Sequence, residues 1–165
     1  MDAEEIEGML FENSDEPLAK ELARAIMSAK RKKQPIETTS QTREIVEQVV
    51  LRTKPENPKE AVKKTCQRVF QALRIDVNSE FEVLDSFLEA LPHILKPGGK
   101  AAILTFHSGE DRMVKKSFQY YAREGIYSDI AKDVIRPSAK ECASNPRARS
   151  TKFRWAVRSD VQKYE

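Results

Sequence analysis

The polar residues with the greatest potential for chemistry follow a short apolar run. Residues 100–106, KAAILTF, are nearly all apolar, and His107, Ser108, Glu110 and Asp111 come soon after them. Side chains at the carboxyl end of a parallel strand face the crevice in which open α/β folds bind ligands. His107, Glu110 and Asp111 are therefore candidate catalytic residues, able to orient a substrate and accept its proton, and Ser108 is a candidate substrate-binding residue.

The same four residues also have a purely structural interpretation. Ser108 and Asp111 fit the S-x-x-D pattern of a helix capping box, and a carboxylate at Glu110 suits the positive end of a helix dipole. Asp111 could also pair with Lys115 one turn later. His107 could be a buried histidine that supports the site. The sequence leaves both interpretations open.

Four helices are predicted before this apolar run. Ser14 or Asp15, followed by Glu16 and Pro17, indicates a helix start, because proline tolerates the first helical position and carboxylates favour that end. The apolar periodicity that follows predicts an amphipathic helix to about residue 33. Similar signals predict three more helices, from residue 39 or 40 to the linker TKPENP, from Asn57 and Pro58 to about residue 75, and from Asn78 or Ser79 to the turn KPGG at 96–99.

The second half of the chain has the pattern of an incomplete α/β domain. The run 100–106 is typical of a strand buried on both faces of a parallel sheet, and a helix to about residue 124 follows it. Residues 125–150 resemble a loop that could hold a short strand around 133–135. The alternation in 151–157 indicates a strand near a sheet edge. We therefore predict a helix-rich α/β fold with part of a Rossmann-like sheet.

Composition indicates a highly charged globular protein. Of 165 residues, 39% are hydrophobic and 33% are charged. No apolar run approaches the roughly 20 residues of a membrane-spanning helix. The amino terminus shows neither a secretory signal nor a transit peptide, which predicts a cytoplasmic protein and leaves an organellar location open. Cys66 and Cys142 are far apart and have no ligand-like neighbours, so neither a disulfide nor a metal site is predicted.

The last third of the chain carries a surplus of positive charge. Residues 100–165 hold 14 basic and 8 acidic side chains, and the segment 145–158, NPRARSTKFRWAVR, has five basic residues and no acidic one. Phosphate contacts from Arg147, Arg149 and Lys152 would give salt-dependent affinity for RNA. Alternatively, this segment is an edge strand with its basic side chains directed outward and its aromatic side chains in the core.

Four stretches resemble the MraW/RsmH family of S-adenosylmethionine-dependent methyltransferases, which modify the exocyclic amine of a cytosine in small-subunit ribosomal RNA. The stretches are AKELARAI with PIETT at 19–26 and 35–39, FQALRIDVNSE at 70–80, FHSGEDRMVK at 106–115 and NPRARSTKFR at 145–154. The resemblance implies a class I methyltransferase sheet interrupted by a helical insertion. It divides the chain into a lead-in at 1–13, a mostly helical insertion at 14–75 and the second half of the methyltransferase domain at 76–165.

The resemblance also implies a cofactor and a missing part. S-adenosylmethionine is the implied cofactor, but the family's glycine-rich binding motif is absent, so a missing amino-terminal half or a second chain would supply its site. Arg74 and Asn78 are implied to line the substrate pocket, although Arg74 could instead pair with Asp76 or Glu80, and Asn78 could cap a helix. Gly109 departs from the family, which usually has leucine there.

The implied substrate and two alternative functions complete the interpretation. A cytosine within a duplex is out of reach, so the target RNA is expected to be single-stranded or to have its base flipped out. One alternative is a non-catalytic RNA-binding protein derived from the same family. The other is a helical interaction module in which the family motifs serve folding alone.

Overall fold

The computed structural model describes residues 1–160. They form two compact units, a helical unit, Met1–Glu80, and a sheet unit that begins at Phe81. Within residues 1–160, no helix is both long enough and apolar enough to cross a bilayer. The assignment of 14–75 as an insertion and of 76–165 as part of a methyltransferase domain stays a prediction, and the last five residues of the latter lie outside the described residues.

The helical unit is built from helices with good end signals. Its elements are α1 (Ala3–Ser14), α2 (Ala19–Arg31), α3 (Thr39–Arg52) and α4 (Pro58–Asn78). Their apolar faces meet in one core, formed by Ile6, Met9, Leu10, Ala19, Leu22, Ala23, Val46, Val49, Val50, Val62, Val69 and Ala72. Asn57 caps α4 as predicted, accepting a hydrogen bond from the Glu60 N–H at 3.2 Å. The cap of α3 is Thr38, one residue before the earlier of the two predicted positions.

The start of α2 differs from the prediction. Asp15 adopts a left-handed conformation (φ 50°) and ends α1, and α2 begins only at Ala19. The Glu16 side chain is fully buried and pairs with Arg68 of α4 at 2.6 Å. It also accepts a hydrogen bond from the Leu18 N–H at 2.9 Å. A buried carboxylate is tolerated only when it is paired, so this contact fixes the turn between the first two helices.

The sheet unit alternates helices and strands. Its elements are α5 (Glu80–Ile94), β1 (Lys100–Thr105), α6 (Ser108–Arg123), β2 (Tyr127–Ile130), α7 (Ala139–Ser144), a 3-10 helix (Pro146–Ser150) and β3 (Lys152–Arg158). The predicted KPGG turn precedes β1, and Gly98 has the positive φ of 69° that favours glycine. The sequence does not predict β2, and the strand expected at 133–135 is reduced to a single bridge between Ile135 and Phe153.

The three strands form an antiparallel sheet in the order β1, β3, β2. The prediction that β1 lies in a parallel sheet is wrong for the described residues, because its partner β3 runs in the opposite direction. The prediction that β3 is an edge strand is also wrong, since it is the central strand. The register places Ala101 opposite Ala156 and Thr105 opposite Lys152, so the start of β3 lies beside the end of β1.

The helices α5 and α6 cover one face of this sheet. The core on that face consists of Leu88, Leu91, Ala101, Val114, Phe118, Tyr127 and Ala156. On the other face Leu104 is 57% exposed, so the predicted burial of β1 on both faces is wrong. Arg154 and Arg158 are buried, whereas Phe153 and Trp155 stay partly exposed. The alternative in which β3 turns its basic side chains outward and its aromatic side chains into the core is therefore reversed.

Candidate functional site

The turn between β1 and α6 is closed by its own side chains. His107 has an extended backbone and is the N-cap of α6, and its Nδ1 accepts a hydrogen bond from the Glu110 N–H at 3.4 Å. The Glu110 carboxylate accepts one from the Phe106 N–H at 2.9 Å and lies 3.4 Å from His107 Nε2. The predicted capping box of Ser108 and Asp111 is therefore wrong, because the cap lies one residue earlier.

These contacts make Glu110 strongly acidic. The His107 side chain, 3.4 Å from the carboxylate, lowers the pKa of Glu110 to about 2; partial burial opposes this shift and the Phe106 N–H adds to it. A carboxylate with so low a pKa is ionised at neutral pH and is a weak proton acceptor. The geometry favours Glu110 as the group that orients His107 and fixes the turn.

Asp111 ties α6 to the central strand. Its Oδ1 accepts a hydrogen bond from Arg154 Nε at 2.7 Å, and its Oδ2 accepts one from Arg154 Nη2 at 3.2 Å. The Arg154 and Asp111 side chains are only 8% and 14% exposed. Such bidentate pairs are strong and geometrically specific. Asp111 is thus held by Arg154 of β3 rather than by Lys115 one turn along the helix.

Gly109 makes room for an aromatic ring beside this turn. The centroids of the Phe81 and His107 rings lie 5.9 Å apart. A Cβ atom added at Gly109 would come within 2.7 Å of Phe81 Cζ and within 3.2 Å of two atoms of the His107 imidazole. Ser108, next to it, is exposed in the first turn of α6. Gly109, where leucine is expected from the MraW/RsmH resemblance, thus leaves room for the Phe81 ring.

Three predicted substrate-binding residues lie at the same end of the sheet as this turn. Lys152 opens β3 opposite Thr105, the last residue of β1, and Arg147 and Arg149 lie on the 3-10 helix just before β3. Both arginines are exposed. Within residues 1–160, no carboxylate pairs with any of the three. They therefore give this end of the sheet unit a positive surface.

The other two predicted substrate-binding residues lie in the helical unit. Arg74 donates to both carboxylate oxygens of Glu80, at 2.9 and 3.0 Å, and Asn78 Nδ2 lies 3.4 Å from the same carboxylate. The structural interpretation of Arg74 as a partner of Glu80 is confirmed. Asn78 ends α4 and Ser79 is its C-cap, so the predicted helix start there is wrong. Substrate binding by Arg74 and Asn78 stays a prediction.

Neither of the two turns that flank β1 offers a cradle for S-adenosylmethionine. The adjacent glycines serve the turn before β1: the Gly98 N–H donates to the Arg158 carbonyl oxygen at 3.1 Å, and a Cβ at Gly99 would lie 2.7 Å from the Lys96 carbonyl oxygen. After β1, side chains of the turn itself accept from backbone N–H groups that could otherwise hold a ligand. In these two turns the backbone donors are thus engaged within the protein.

Sequence reasoning misses two residues of this site, Phe81 and Arg154. Phe81 lies on a different helix from the turn that it packs against, and no local pattern connects the two. The alternation along β3 is compatible with Arg154 on either face of the sheet. The sequence signal for this pair is the arginine within the strand. A basic side chain on a covered face of a sheet needs a carboxylate opposite it.

The comparisons with known proteins agree across nearly the whole chain. The model of the MraW methylase family matches residues 1–159. Relatives named "Ribosomal RNA small subunit methyltransferase H 1" from Lachnoclostridium phytofermentans and Agathobacter rectalis are 60% and 62% identical, over 94% and 95% of this chain but only 42% and 45% of their own length. One named "Ribosomal RNA small subunit methyltransferase H" from Elusimicrobium minutum is 41% identical over 93% of this chain and 50% of its own length. The chain therefore spans about half the length of these relatives or less, and it belongs to the MraW methylase family.

Proposed function

We propose that this chain is the RNA-binding part of an S-adenosylmethionine-dependent methyltransferase that modifies the exocyclic amine of a cytosine in small-subunit ribosomal RNA. The observation that carries the proposal is the match to relatives named as small-subunit ribosomal RNA methyltransferases. Because the chain spans less than half of those two relatives, we assign the activity to the assembled enzyme and not to this chain alone. A ribosomal RNA substrate favours a cytoplasmic or organellar location.

RNA binding is assigned to the positive end of the sheet unit. Arg147 and Arg149 are exposed and, like Lys152, have no carboxylate partner within the described residues. Free basic side chains can therefore take phosphates without first breaking an ion pair. Contacts of this kind orient a nucleic acid but do not read its bases. Ser108, Arg74 and Asn78 are proposed to contact the substrate as well.

The turn after β1 is assigned a positioning role in this enzyme. Both ring nitrogens of His107 face Glu110, and the low pKa of Glu110 makes it a poor base at neutral pH. Asp111 is engaged by Arg154. We therefore assign to Glu110 and Asp111 the task of holding His107 at the end of β1. Direct proton transfer by His107, Glu110 or Asp111 stays a prediction.

The second candidate function is a non-catalytic RNA-binding protein of the same family. The observation that favours it is that neither turn beside β1 leaves backbone donors free for a cofactor. The two functions share the RNA-binding surface and differ in whether a second polypeptide completes the enzyme. They therefore call for separate tests of RNA binding and of methyl transfer.

RNA binding is tested by titrating the chain with a cytosine-containing single-stranded fragment of small-subunit ribosomal RNA at several salt concentrations. Replacing Arg147, Arg149 and Lys152 by alanine removes three phosphate contacts. The slope of log K against log salt is expected to become shallower by about 2, since each contact to single-stranded RNA contributes roughly 0.7. The matched control replaces the exposed Lys115, Lys116 and Arg123 of α6 by alanine, which changes the net charge equally and is expected to keep the slope. Salt-insensitive affinity, or an equal loss in both triple variants, would contradict the proposal.

The cofactor assignment is tested by calorimetry of the isolated chain with S-adenosylmethionine. No measurable binding is expected, and micromolar binding would show that this chain holds the cofactor by itself. Methyl transfer to the same RNA is then measured in the presence of the remaining half of a family methyltransferase. Transfer above the level of either part alone supports the enzyme, whereas RNA binding without transfer by an assembled pair supports the non-catalytic function.

A further inference from the structure

The surface of the helical unit carries a groove between α3 and α4, open to solvent and about 820 Å³ in volume. We propose that this groove binds an amphipathic helix of a partner protein, with acidic side chains on both sides of the apolar stripe of that helix. The inference goes beyond the proposed function, because it concerns a protein partner and neither RNA nor the cofactor.

The floor of the groove is apolar. Val62, Cys66 and Phe70 recur every four residues along α4 and so form one stripe. Val62 belongs to the core of the helical unit and Cys66 packs against that core, whereas Phe70 is half-buried. Leu51 of α3 borders the same groove and is 46% exposed. The apolar surface is therefore contiguous from the core to the solvent, and contiguous exposed apolar surface marks an interaction site.

Both walls of the groove carry basic side chains. Arg43 lies on α3, and Lys59 and Lys63 lie on α4. All three side chains are exposed, and none forms an ion pair within the part of the chain that the structure describes. The carboxylate of Glu47 lies among them, one turn after Arg43. The walls thus keep a surplus of positive charge that an acidic occupant would neutralise.

A helix is the occupant that matches this arrangement. Because a short linker joins α3 to α4, the two helices are antiparallel, and a third helix can pack along the groove between them. Its apolar stripe would face the floor, and its flanking side chains would meet Arg43 on one wall and Lys63 on the other, so carboxylates suit both flanks. A small anion would meet only one wall. Single-stranded RNA favours exposed aromatic rings, and the ring on this floor, Phe70, is half-buried.

The groove sets the length and the strength of the contact. Arg43 and Leu51 lie eight residues apart on α3, a distance of about 12 Å or just over two helical turns. A docking helix would therefore use apolar residues at i, i+3 or i+4, and i+7. A contact of this size lies at the low end of protein interfaces, so we expect a dissociation constant of roughly tens of micromolar.

The test adds designed peptides to the full chain. The acidic peptide has about 18 residues, because shorter isolated helices are marginal in water. Leucine forms its apolar stripe, glutamate occupies both flanks and alanine fills the remaining positions. One comparison peptide has the same composition in scrambled order, and another has lysine in place of every glutamate. Fluorescence anisotropy is expected to show that the acidic peptide binds about tenfold more tightly than either of the others.

Substitutions in the groove separate the contributions of charge and apolar surface. Arg43→Glu with Lys63→Glu reverses one charge on each wall and is expected to weaken binding of the acidic peptide about tenfold and to strengthen that of the lysine peptide. Leu51→Ser removes apolar surface without changing charge and is expected to weaken binding about fivefold. The matched control, Lys20→Glu with Lys30→Glu, changes two exposed lysines of α2 outside the groove. It alters the net charge equally and is expected to change affinity less than about twofold.

Cys66 reports directly whether the groove is covered. Burial raises the pKa of its thiol, while the nearby charge of Arg43 lowers it and that of Glu47 raises it. Alkylation with iodoacetamide is therefore measured at alkaline pH, where the thiolate is populated. A saturating amount of the acidic peptide is expected to slow alkylation of Cys66 about fivefold or more, and to leave Cys142 in the sheet unit unaffected. A bound peptide that does not protect Cys66 would overturn the proposal, because it would lie elsewhere.

The same measurements identify the other possible occupants. Protection of Cys66 by single-stranded RNA or by decanoate, but not by the acidic peptide, would assign the groove to a nucleic acid or to a small amphiphilic anion. Protection that rises with the concentration of the chain alone would assign it to a second copy. Each of these results overturns the proposal, as do equal binding of the acidic and scrambled peptides and equal effects of the two double variants.

Discussion

The helical unit encloses its apolar side chains far better than the sheet unit does. Among residues 1–160, the helical core has twelve buried members, whereas the core of the sheet unit has seven. Large exposed apolar side chains are correspondingly more numerous in the sheet unit, where they are Val83, Phe87, Ile94, Leu104, Phe106, Tyr120 and Ile135. Four helices can bury each other's stripes, but a sheet with helices on one side cannot cover its second face. The contrast shows that the sheet unit leaves more apolar surface exposed than the helical unit does.

In each unit a largely buried ion pair joins segments that are distant in sequence. In the helical unit Arg68 pairs with a fully buried Glu16, and in the sheet unit Arg154 pairs with Asp111, which is 14% exposed. The cost of breaking such a pair rises with the burial of the charge that is left behind. The two pairs therefore allow a direct comparison of how completely each unit excludes water from a buried charge.

The largest effect is expected for Arg68→Ala. The substitution leaves the fully buried Glu16 carboxylate without its guanidinium, so the helical unit is expected to lose about 3–5 kcal/mol of its free energy of unfolding. Urea denaturation followed by circular dichroism at 222 nm measures this loss. The control is Glu60→Ala, which breaks an exposed pair with Lys64 and is expected to leave the midpoint unchanged. Equal midpoints for both variants would show that the ion pair of Glu16 does not stabilise the helical unit more than an exposed pair does.

A smaller loss is expected for Asp111→Ala, because the charge that it leaves behind, Arg154, is 8% exposed, whereas Glu16 is fully buried. We expect about 2–4 kcal/mol, measured by urea denaturation with the fluorescence of Trp155, the only tryptophan and a member of β3 beside Arg154. The control Asp133→Ala removes an exposed carboxylate of the sheet unit and is expected to be neutral. Replacing both Asp111 and Arg154 by leucine is expected to restore much of the stability, since neither charge is then left unpaired. A double variant as unstable as Asp111→Ala would contradict the account of this pair.

The sequence predicts much of the local structure of both units, but it predicts poorly how far their apolar side chains are buried. The caps at Thr38 and Asn57 and the KPGG turn depend on neighbouring residues, and they are found at or within one residue of their predicted places. The apolar run of β1 has the composition of a strand that is buried on both faces, yet Leu104 is exposed. Composition reports the environment in which a strand is stable, and the described chain provides only part of that environment.

The candidate site divides in the same way. The pairing of Arg74 with Glu80 follows from a short spacing, whereas the capping box predicted for Ser108 and Asp111 is replaced by a cap at His107, one residue earlier. The pairing of Asp111 with Arg154 depends on the register of β3 against β1 and on the face that α6 covers. Neither can be read from a single strand, because a shift of one residue would move Arg154 to the other face.

Acid is expected to weaken the sheet unit through Glu110. Its pKa is lowered to about 2, so its contribution to stability is fully present above the ordinary value near 4.5 and is lost as pH falls towards 2. The difference in unfolding free energy between the unmodified chain and Glu110→Gln is expected to be at most about 3 kcal/mol at pH 7 and to shrink below pH 4. Trp155 fluorescence in urea at pH 7, 4 and 3 measures it, with Glu124→Gln at the exposed end of α6 as the control. A difference that does not vary with pH would rule out the hydrogen bonds to the Glu110 carboxylate as its source.

The smallest effect is expected at Gly109, where two opposing contributions nearly cancel. Alanine favours the helix by up to about 1 kcal/mol, but its Cβ would lie 2.7 Å from Phe81 Cζ, so Phe81 must shift. We expect Gly109→Ala to destabilise the unmodified chain by about 1 kcal/mol and to stabilise a Phe81→Ala background by a similar amount, a change of sign that a double-mutant cycle in urea measures directly. Ser108→Ala, next to it and exposed, is the control and is expected to act alike in both backgrounds. If Gly109→Ala had the same effect in the unmodified and the Phe81→Ala backgrounds, the glycine would not be making room for Phe81. This part of the sheet unit would then be packed more loosely than its geometry indicates.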